Sequence, residues 1–216
     1  MKGYPDNHFN IGIVDPPYFS GPERREYYGR SISTTNIKRT NYPKSAKWEI
    51  PDNDYFEELY RVTKNQIIWG CNYYIDAKLP AGRIVWDKCN GRSSFSDAEI
   101  AATSLHDSVR IFKYMWNGMF HGKSISEGHI PQGDKSKNEK RIHPTQKPIL
   151  LYKWIISHYC NPGDLILDTH GGSGSILLAC HDTNMDIVWI EKDINHFNNA
   201  LDRLKLHQSQ LTLDLV

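Results

Sequence analysis

The 216-residue chain is 39% hydrophobic, 24% charged and 12% aromatic with a formal net charge of +1, which fits one globular domain and excludes a disordered polyelectrolyte. No run approaches the ~18 consecutive apolar residues of a membrane span, and residues 1–10 lack the apolar core of a signal peptide, so a cytoplasmic protein without a membrane partner is expected. The cysteines at 71, 89, 160 and 180 form no CxxC pair; free thiols are expected, and no metal site.

Residues 9–14 form a short apolar run ending in Asp15-Pro16-Pro17-Tyr18. This predicts a buried strand halted by prolines, which donate nothing to a ladder. Residues 20–47 are polar and aperiodic, and the stretch 19–50 reads as a mobile loop, long enough to expect a function of it. Over residues 51–64, Phe56, Leu59, Tyr60 and Thr63 share a helical face, with Glu57 and Glu58 early and Lys64 late, so a helix is expected. Strands are expected at 66–69 and 83–86, and residues 99–104 with 109–114 read as a hairpin-like region. Residues 117–142 are again charged and without period. A helix with proline in its first turn is expected over 148–159, then a strand at 164–167, a helix from 175, a strand at 186–190, a helix over 194–207 and a last strand at 211–216. Strands alternating with helices argue for an α/β domain with a mostly parallel sheet.

Three segments carry chemistry. The first is Asp15-Pro16-Pro17-Tyr18, at the carboxyl end of a strand, where open α/β sheets bind ligands. The prolines stiffen the turn, so the Asp15 carboxylate and the Pro16 carbonyl are fixed acceptors for the two donors of an exocyclic amine. Tyr18 supplies a flat face for a planar ring. The second is the turn from Asp168 through Thr169, His170, Gly171, Gly172, Ser173 and Gly174 to Ser175, between a strand and a helix. Glycines let backbone approach a ligand, and the helix start offers free N–H groups. The spacing is neither GxGxxG nor GxxxxGK[ST], so neither a dinucleotide nor an ordinary triphosphate is favoured. Glu191 ends the next strand, well placed to accept hydrogen bonds from ribose hydroxyls. The third is His143-Pro144-Thr145-Gln146-Lys147-Pro148, which reads either as a helix start or as a reach of Thr145 and Lys147 toward the carboxylate of a cofactor.

In this order, the set DPPY, HPTQKP and LDTHGGSGS followed by WIEKD resembles the S-adenosylmethionine-dependent amino-methyltransferases of DNA, the β class whose catalytic motif precedes its cofactor motif. Residues 66–73 (QIIWGCNY) and 84–88 (IVWDK) resemble short adenine methyltransferases of phages and mobile elements. The resemblance implies a Rossmann-like methyltransferase sheet, mostly parallel and circularly permuted with the catalytic half first. It implies S-adenosyl-L-methionine as cofactor, held by Asp168, His170, Gly171, Gly172, Gly174, Ser175, Glu191, Thr145 and Lys147, and Asp15, Pro16 and Tyr18 as catalytic residues acting on a flipped base. Where the family usually reads Asp-Pro-Phe, this chain has Asp168, Thr169 and His170. DPPY rather than SPPY favours adenine N6 over cytosine N4.

The charge distribution fits double-stranded DNA as partner. Arg24, Arg25, Arg30, Lys38 and Arg39 lie in the first loop, and Lys135, Lys137 and Lys140 in the second. Basic loops on either side of the catalytic strand end suit phosphates, and binding is then expected to weaken steeply with salt. One methyltransferase domain over residues 1–216 is expected, with residues 113–142 as a small target-recognition insertion. Related enzymes often pair as homodimers, which nothing in this sequence decides. The alternatives are a cytosine-N4 enzyme of the same fold, an RNA or protein-glutamine methyltransferase, and an inactive cofactor- or DNA-binding remnant.

Overall fold

The structure is a computed structural model, and it describes residues 1–18, 48–90, 96–117, 120–122, 139–143 and 145–211. In chain order it places β1 (Phe9–Val14), α1 (Asn53–Val62), β2 (Thr63–Trp69), a 3-10 turn (Cys71–Tyr73), β3 (Gly82–Asp87), β4 (Ala98–Thr103) and β5 (Val109–Lys113). There follow β6 (Met115–Asn117), β7 (Phe120–Gly122), α2 (Ile149–Tyr159), β8 (Leu165–Asp168), α3 (Ser175–Thr183), β9 (Asp186–Trp189) and α4 (Ile194–Leu211). Seven strands share one sheet in the order β5-β3-β4-β2-β1-β8-β9, and β6 pairs with β7. Every neighbouring pair in the large sheet is parallel except those of β4, which runs antiparallel to β2 and β3. The expected mostly parallel α/β sheet with its catalytic half first is thus present.

From β1 the chain builds the sheet in one direction, and from β8 in the other. Their seam, with Ile11 opposite Ile166 and Gly12 opposite Leu167, is a switch point at which parallel strand ends diverge and leave a crevice. The strands around it are buried on both faces, and so read as continuous apolar runs. Ile11, Ile13, Ile67, Trp69 and Ile166 pack with Leu151 and Ile155 of α2 and Ile176 and Ala179 of α3. Phe9, Val14, Ile68 and Leu167 pack on the opposite side with Phe56, Leu59 and Val62 of α1. Each covered Ile, Leu, Val or Phe side chain contributes roughly 1.5–3 kcal/mol.

Local signals start the helices. Asp52 caps α1 by accepting the Tyr55 N–H at 3.1 Å. At the start of α2, Pro148 has no capping side chain; Glu139 reaches in instead and accepts the Ile149 N–H at 3.0 Å. Asp182 ties three helices together, accepting from Lys153 at 2.5 Å and lying 2.6 Å from His207 Nε2. His181, Asp182 and His207 thereby bring potential metal-ligand atoms within 4.8 Å of one another, although Lys153 already occupies one carboxylate oxygen.

Three expectations need correction. Strands β4 and β5 do not form a hairpin: β4 spends one edge on β2 and the other on β3, so β5 takes the outer edge of β3, in parallel. The aperiodic stretch 117–142 contributes a short hairpin from its first residues, β6 with β7. Leu211 ends α4 rather than opening a strand, and residues 212–216 lie outside the described residues. No helix among the described residues is long and apolar enough to cross a membrane.

Candidate active site

A cleft of ≈ 680 Å³ opens at the carboxyl ends of β1 and β8. Asp15, Pro16, Pro17 and Tyr18 enter from the turn after β1. His143, Thr145, Gln146 and Lys147 come from the segment before α2, and residues 169–173 from the turn after β8. Glu191 and Asp193 follow β9, and Trp48 to Asp52 with Tyr55 complete the wall. The three motif segments, far apart in sequence, therefore line one cavity together with residues from 48–55 and 190–193.

At the turn after β1, one carboxylate oxygen of Asp15, Oδ2, is ion-paired with the Lys147 ammonium. The other, Oδ1, is buried and has no hydrogen-bond partner among the described residues. Burial pushes the Asp15 carboxyl up from its ordinary value while Lys147 pulls it back. A buried acceptor left unmade costs about 1–3 kcal/mol, so this oxygen is poised for a donor that the described residues do not supply. Lys147 also meets Glu99 Oε2 at 3.1 Å, and Glu99 Oε1 meets Lys88 at 2.6 Å. Burial alone raises the Glu99 carboxyl, but Lys147 and Lys88 outweigh it and hold the group down to about 2. The Lys147 ammonium is in turn raised well above its ordinary value, against burial, by Asp15 and Glu99.

Two aromatic contacts refine the reading of the turn. Tyr18 stacks on Tyr73 with ring centroids 4.3 Å apart and planes 4° from parallel. The Pro16 carbonyl is free of any ladder, yet it already accepts the Tyr74 hydroxyl; its second lone pair remains for another donor.

Opposite, the glycine turn is shaped by contacts rather than by composition alone. A Cβ on Gly171 lies 2.0 Å from the Trp189 ring, and Gly172 has φ +51°, a conformation glycine adopts without strain. Gly174 precedes α3 and donates to Gly171 O at 2.9 Å, while the Ser175 hydroxyl donates to Lys147 O at 2.7 Å. Glu191 Oε2 accepts the Gly172 N–H at 2.8 Å, and Oε1 accepts the Asp193 N–H at 2.8 Å. Asp168 is buried and accepts the His170 N–H at 3.0 Å; burial raises its carboxyl to about 7. Where the family carries Pro and Phe, Thr169 bridges Tyr55 at 2.7 Å and His170 Nδ1 at 2.9 Å. His170 packs its ring against Tyr55 with centroids 5.3 Å apart, and burial lowers it to about 4, so it stays neutral and ring-like.

Thr145 lines the cleft, its hydroxyl 3.2 Å from His143 Nδ1. His143 lies against His196 and parallel to Trp48; burial, then His196 and Lys147, lower it to about 3. Lys147 does not extend toward open cleft as a free cation, because both of its carboxylate partners are protein groups.

Of the basic residues expected to contact DNA, Lys140 is exposed. Arg24, Arg25, Arg30, Lys38, Arg39, Lys135 and Lys137 lie outside the described residues. The end of the second loop is not simply solvated charge. Glu139 is ion-paired with Arg203 of α4 and accepts from Gln146 at 2.9 Å, and Arg141 sits 4.5 Å over the Trp116 ring.

Sequence reasoning missed Glu99, Tyr74 and Tyr55. Glu99 is a lone acidic residue in an otherwise apolar strand, and no local motif marks it. Its only signal is residue type: an Asp or Glu in a central strand is seldom buried without a partner.

Residues 110–202 match a family model described as DNA methylase, of N6/N4 type. The match runs from β5 into α4. Among curated proteins, the chain is 26% identical over 235 residues to the type II methyltransferase M.HpaI of Haemophilus parainfluenzae, covering 94% of this chain and 70% of that one. Among solved structures, it resembles TTHA0409 of Thermus thermophilus, crystallised with S-adenosyl-L-methionine, at 12% identity and a TM-score of 0.52 over 95% of this chain and 89% of that one. The cytosine-N4-specific PvuII DNA methyltransferase is similar at 13% identity and a TM-score of 0.51, over 93% and 80%. At such identities the solved structures speak for the fold.

Proposed function

We propose that the chain transfers a methyl group from S-adenosyl-L-methionine to the N6 amino group of an adenine flipped out of double-stranded DNA. The observation that carries this reading is the buried Asp15 Oδ1, an acceptor without a donor among the described residues, on a side chain that lines the same cleft as the Glu191-clamped glycine turn. The residues present fit the cofactor. The cradle at Gly171 has no room for a Cβ, and Glu191 keeps lone pairs beyond those given to Gly172 and Asp193. Bound there, the cofactor supplies an electrophilic methyl group whose carbon–sulfur bond breaks with its electron pair left on sulfur.

The chain's own residues do the rest. Asp15 Oδ1 and the second lone pair of the Pro16 carbonyl take the two amino hydrogens, which turns the nitrogen lone pair outward to form the new bond. As that nitrogen becomes positive, both acceptors bind more tightly, which is stabilisation of the transition state rather than of the ground state. The amino group then releases one proton to water. The Tyr18–Tyr73 pair offers the aromatic environment for the extruded base. The basic residues of the two loops hold the phosphates, and the segment 113–142 reads the target.

The test is incubation with S-adenosyl-L-methionine and unmethylated genomic DNA, followed by mass spectrometry of the nucleosides. N6-methyladenine supports the proposal. N4-methylcytosine keeps fold and mechanism but reassigns the base, and neither product with the cofactor still bound rejects DNA as the substrate.

A further inference from the structure

The segment before α2 is explained as a cofactor contact only if its lysine is available. It is not: Lys147 is only 4% exposed, and its ammonium is spent between Asp15 and Glu99. Behind it, Lys88 from the end of β3 holds the other oxygen of Glu99 on β4. Four charges alternate in sign, Asp15, Lys147, Glu99, Lys88, running from the cleft into the sheet. Below the chain lies the Trp69 ring, its centroid 5.4 Å from the Lys147 ammonium.

We propose that Lys147, buttressed by Glu99 and Lys88, is a positioning residue for the target amino group: it fixes the charge and the orientation of Asp15 and does not bind the cofactor. The geometry gives each member a task. Lys147 occupies Oδ2, so the carboxylate cannot rotate freely and Oδ1 is the oxygen left for the substrate. A carboxylate accepts at both oxygens, whereas a protonated carboxyl has one oxygen that donates and that repels an amino hydrogen. Without a counter-ion, a carboxyl in this buried position takes up a proton. Glu99 keeps Lys147 from following a ligand into the cleft, and Lys88 keeps Glu99 ionised.

The inference rests on the proposed transfer reaction but is tested separately from it. The other titratable groups around Asp15 are Tyr18 beside it, Tyr55 of α1, Tyr74 after β2, Tyr152 of α2 and Asp168 of β8. Burial keeps the tyrosines protonated; Asp168 also feels Lys147, so the profiles are compared in an Asp168→Asn background, where differences report on Asp15.

Lys147→Met is expected to lower kcat about 100-fold or more near neutral pH, with cofactor affinity by calorimetry unchanged within about twofold. Its acid limb in kcat should move up by at least about one pH unit, so that raising the pH restores part of the rate. Glu99→Gln removes a like charge from Asp15 and should move the same limb down while costing a smaller factor in kcat. Lys147→Arg retains the charge and should fall between wild type and Lys147→Met. Opposite shifts in the two variants are not what loss of a merely structural contact produces. Weakening of cofactor binding tenfold or more in Lys147→Met, with kcat at saturation retained, overturns the inference in favour of a cofactor contact. Acid limbs left in place in both variants overturn it in favour of a packing role. If Lys147→Met shows no cooperative melt, the downward shift in Glu99→Gln decides.

Should the wild type methylate neither base, the transfer reading fails alone. The ionisation claim is then read by infrared difference spectroscopy, as a carboxylic C=O band present in Lys147→Met and absent from the Asp15→Asn, Lys147→Met double variant. Absence of that band rejects the inference.

Discussion

Glu191 accepts the backbone N–H of Gly172 at 2.8 Å, so the carboxylate just after β9 and the turn after β8 are tied to each other. The same carboxylate takes the Asp193 N–H with its other oxygen, which sets its plane as well as its place. A ligand that bonds to Glu191 therefore meets an acceptor already oriented by two backbone donors, and little ordering remains at binding.

Glu191→Ala should weaken cofactor binding about 10- to 100-fold, the range expected for loss of hydrogen bonds to a charged group. It should leave kcat at saturating cofactor within a few-fold. Calorimetry and steady-state kinetics separate these effects, and an unchanged dissociation constant removes Glu191 from the site.

Asp15→Ala is expected to show the converse pattern. Transfer should fall below detection or by about 10³-fold while the cofactor still binds. Turnover at the wild-type rate would remove the catalytic assignment altogether.

Asp168 makes stability depend on pH in a defined direction. Its folded value of about 7 lies above its ordinary value of 3.8, so the unfolded chain releases this proton first. The Asp168 contribution to stability is then fully present below about pH 4 and is lost as pH rises to about 7, by at most on the order of 4 kcal/mol. Asp168→Asn cannot ionise. In thermal melts without cofactor it should exceed the wild type above pH 7, with the gap closing near pH 4; a gap independent of pH contradicts the assignment.

Gly171→Ala places a methyl group 2.0 Å from the Trp189 ring. Overpacking of this kind costs about 1–3 kcal/mol, and here it also moves the turn that Glu191 holds. A lower melting temperature together with weaker cofactor binding is expected, and Trp189→Leu in the same chain should recover part of the stability.

Arg203→Met leaves the mostly covered Glu139 without its cation. Removing one partner of such a pair costs about 3–5 kcal/mol, read from urea unfolding. Glu139→Gln added to it should return part of the loss, because the amide still accepts the Ile149 N–H. Additive losses in the double variant would show that the two side chains act independently.

Much of this was readable from the chain because the signals are local. Prolines after an apolar run located the Asp15 turn, and glycines between a strand and a helix located the turn after β8. The elements that escaped depend on partners far away. Nothing near residues 98–113 reveals that β4 uses both its edges, which is what sends β5 to the far side of β3. Likewise Lys147 looked free in the string HPTQKP, since both its partners, Asp15 and Glu99, are distant in sequence and meet it only across the finished sheet. Glu139 looked like loop charge because its cation stands on the last helix.

The seam between β1 and β8 has a consequence for how the molecule assembles. β8, α3, β9 and α4 are neighbours in the chain and their contacts close short loops, as do those of β1 with α1 and β2 to a lesser degree. The pairing of Ile11 with Ile166 closes a loop of most of the chain, and such long closures come late and slowly. With the seam open, the chain would hold every motif and no cleft. A ligand that touches both sides of the seam binds the closed fold alone, so it stabilises that closure by mass action.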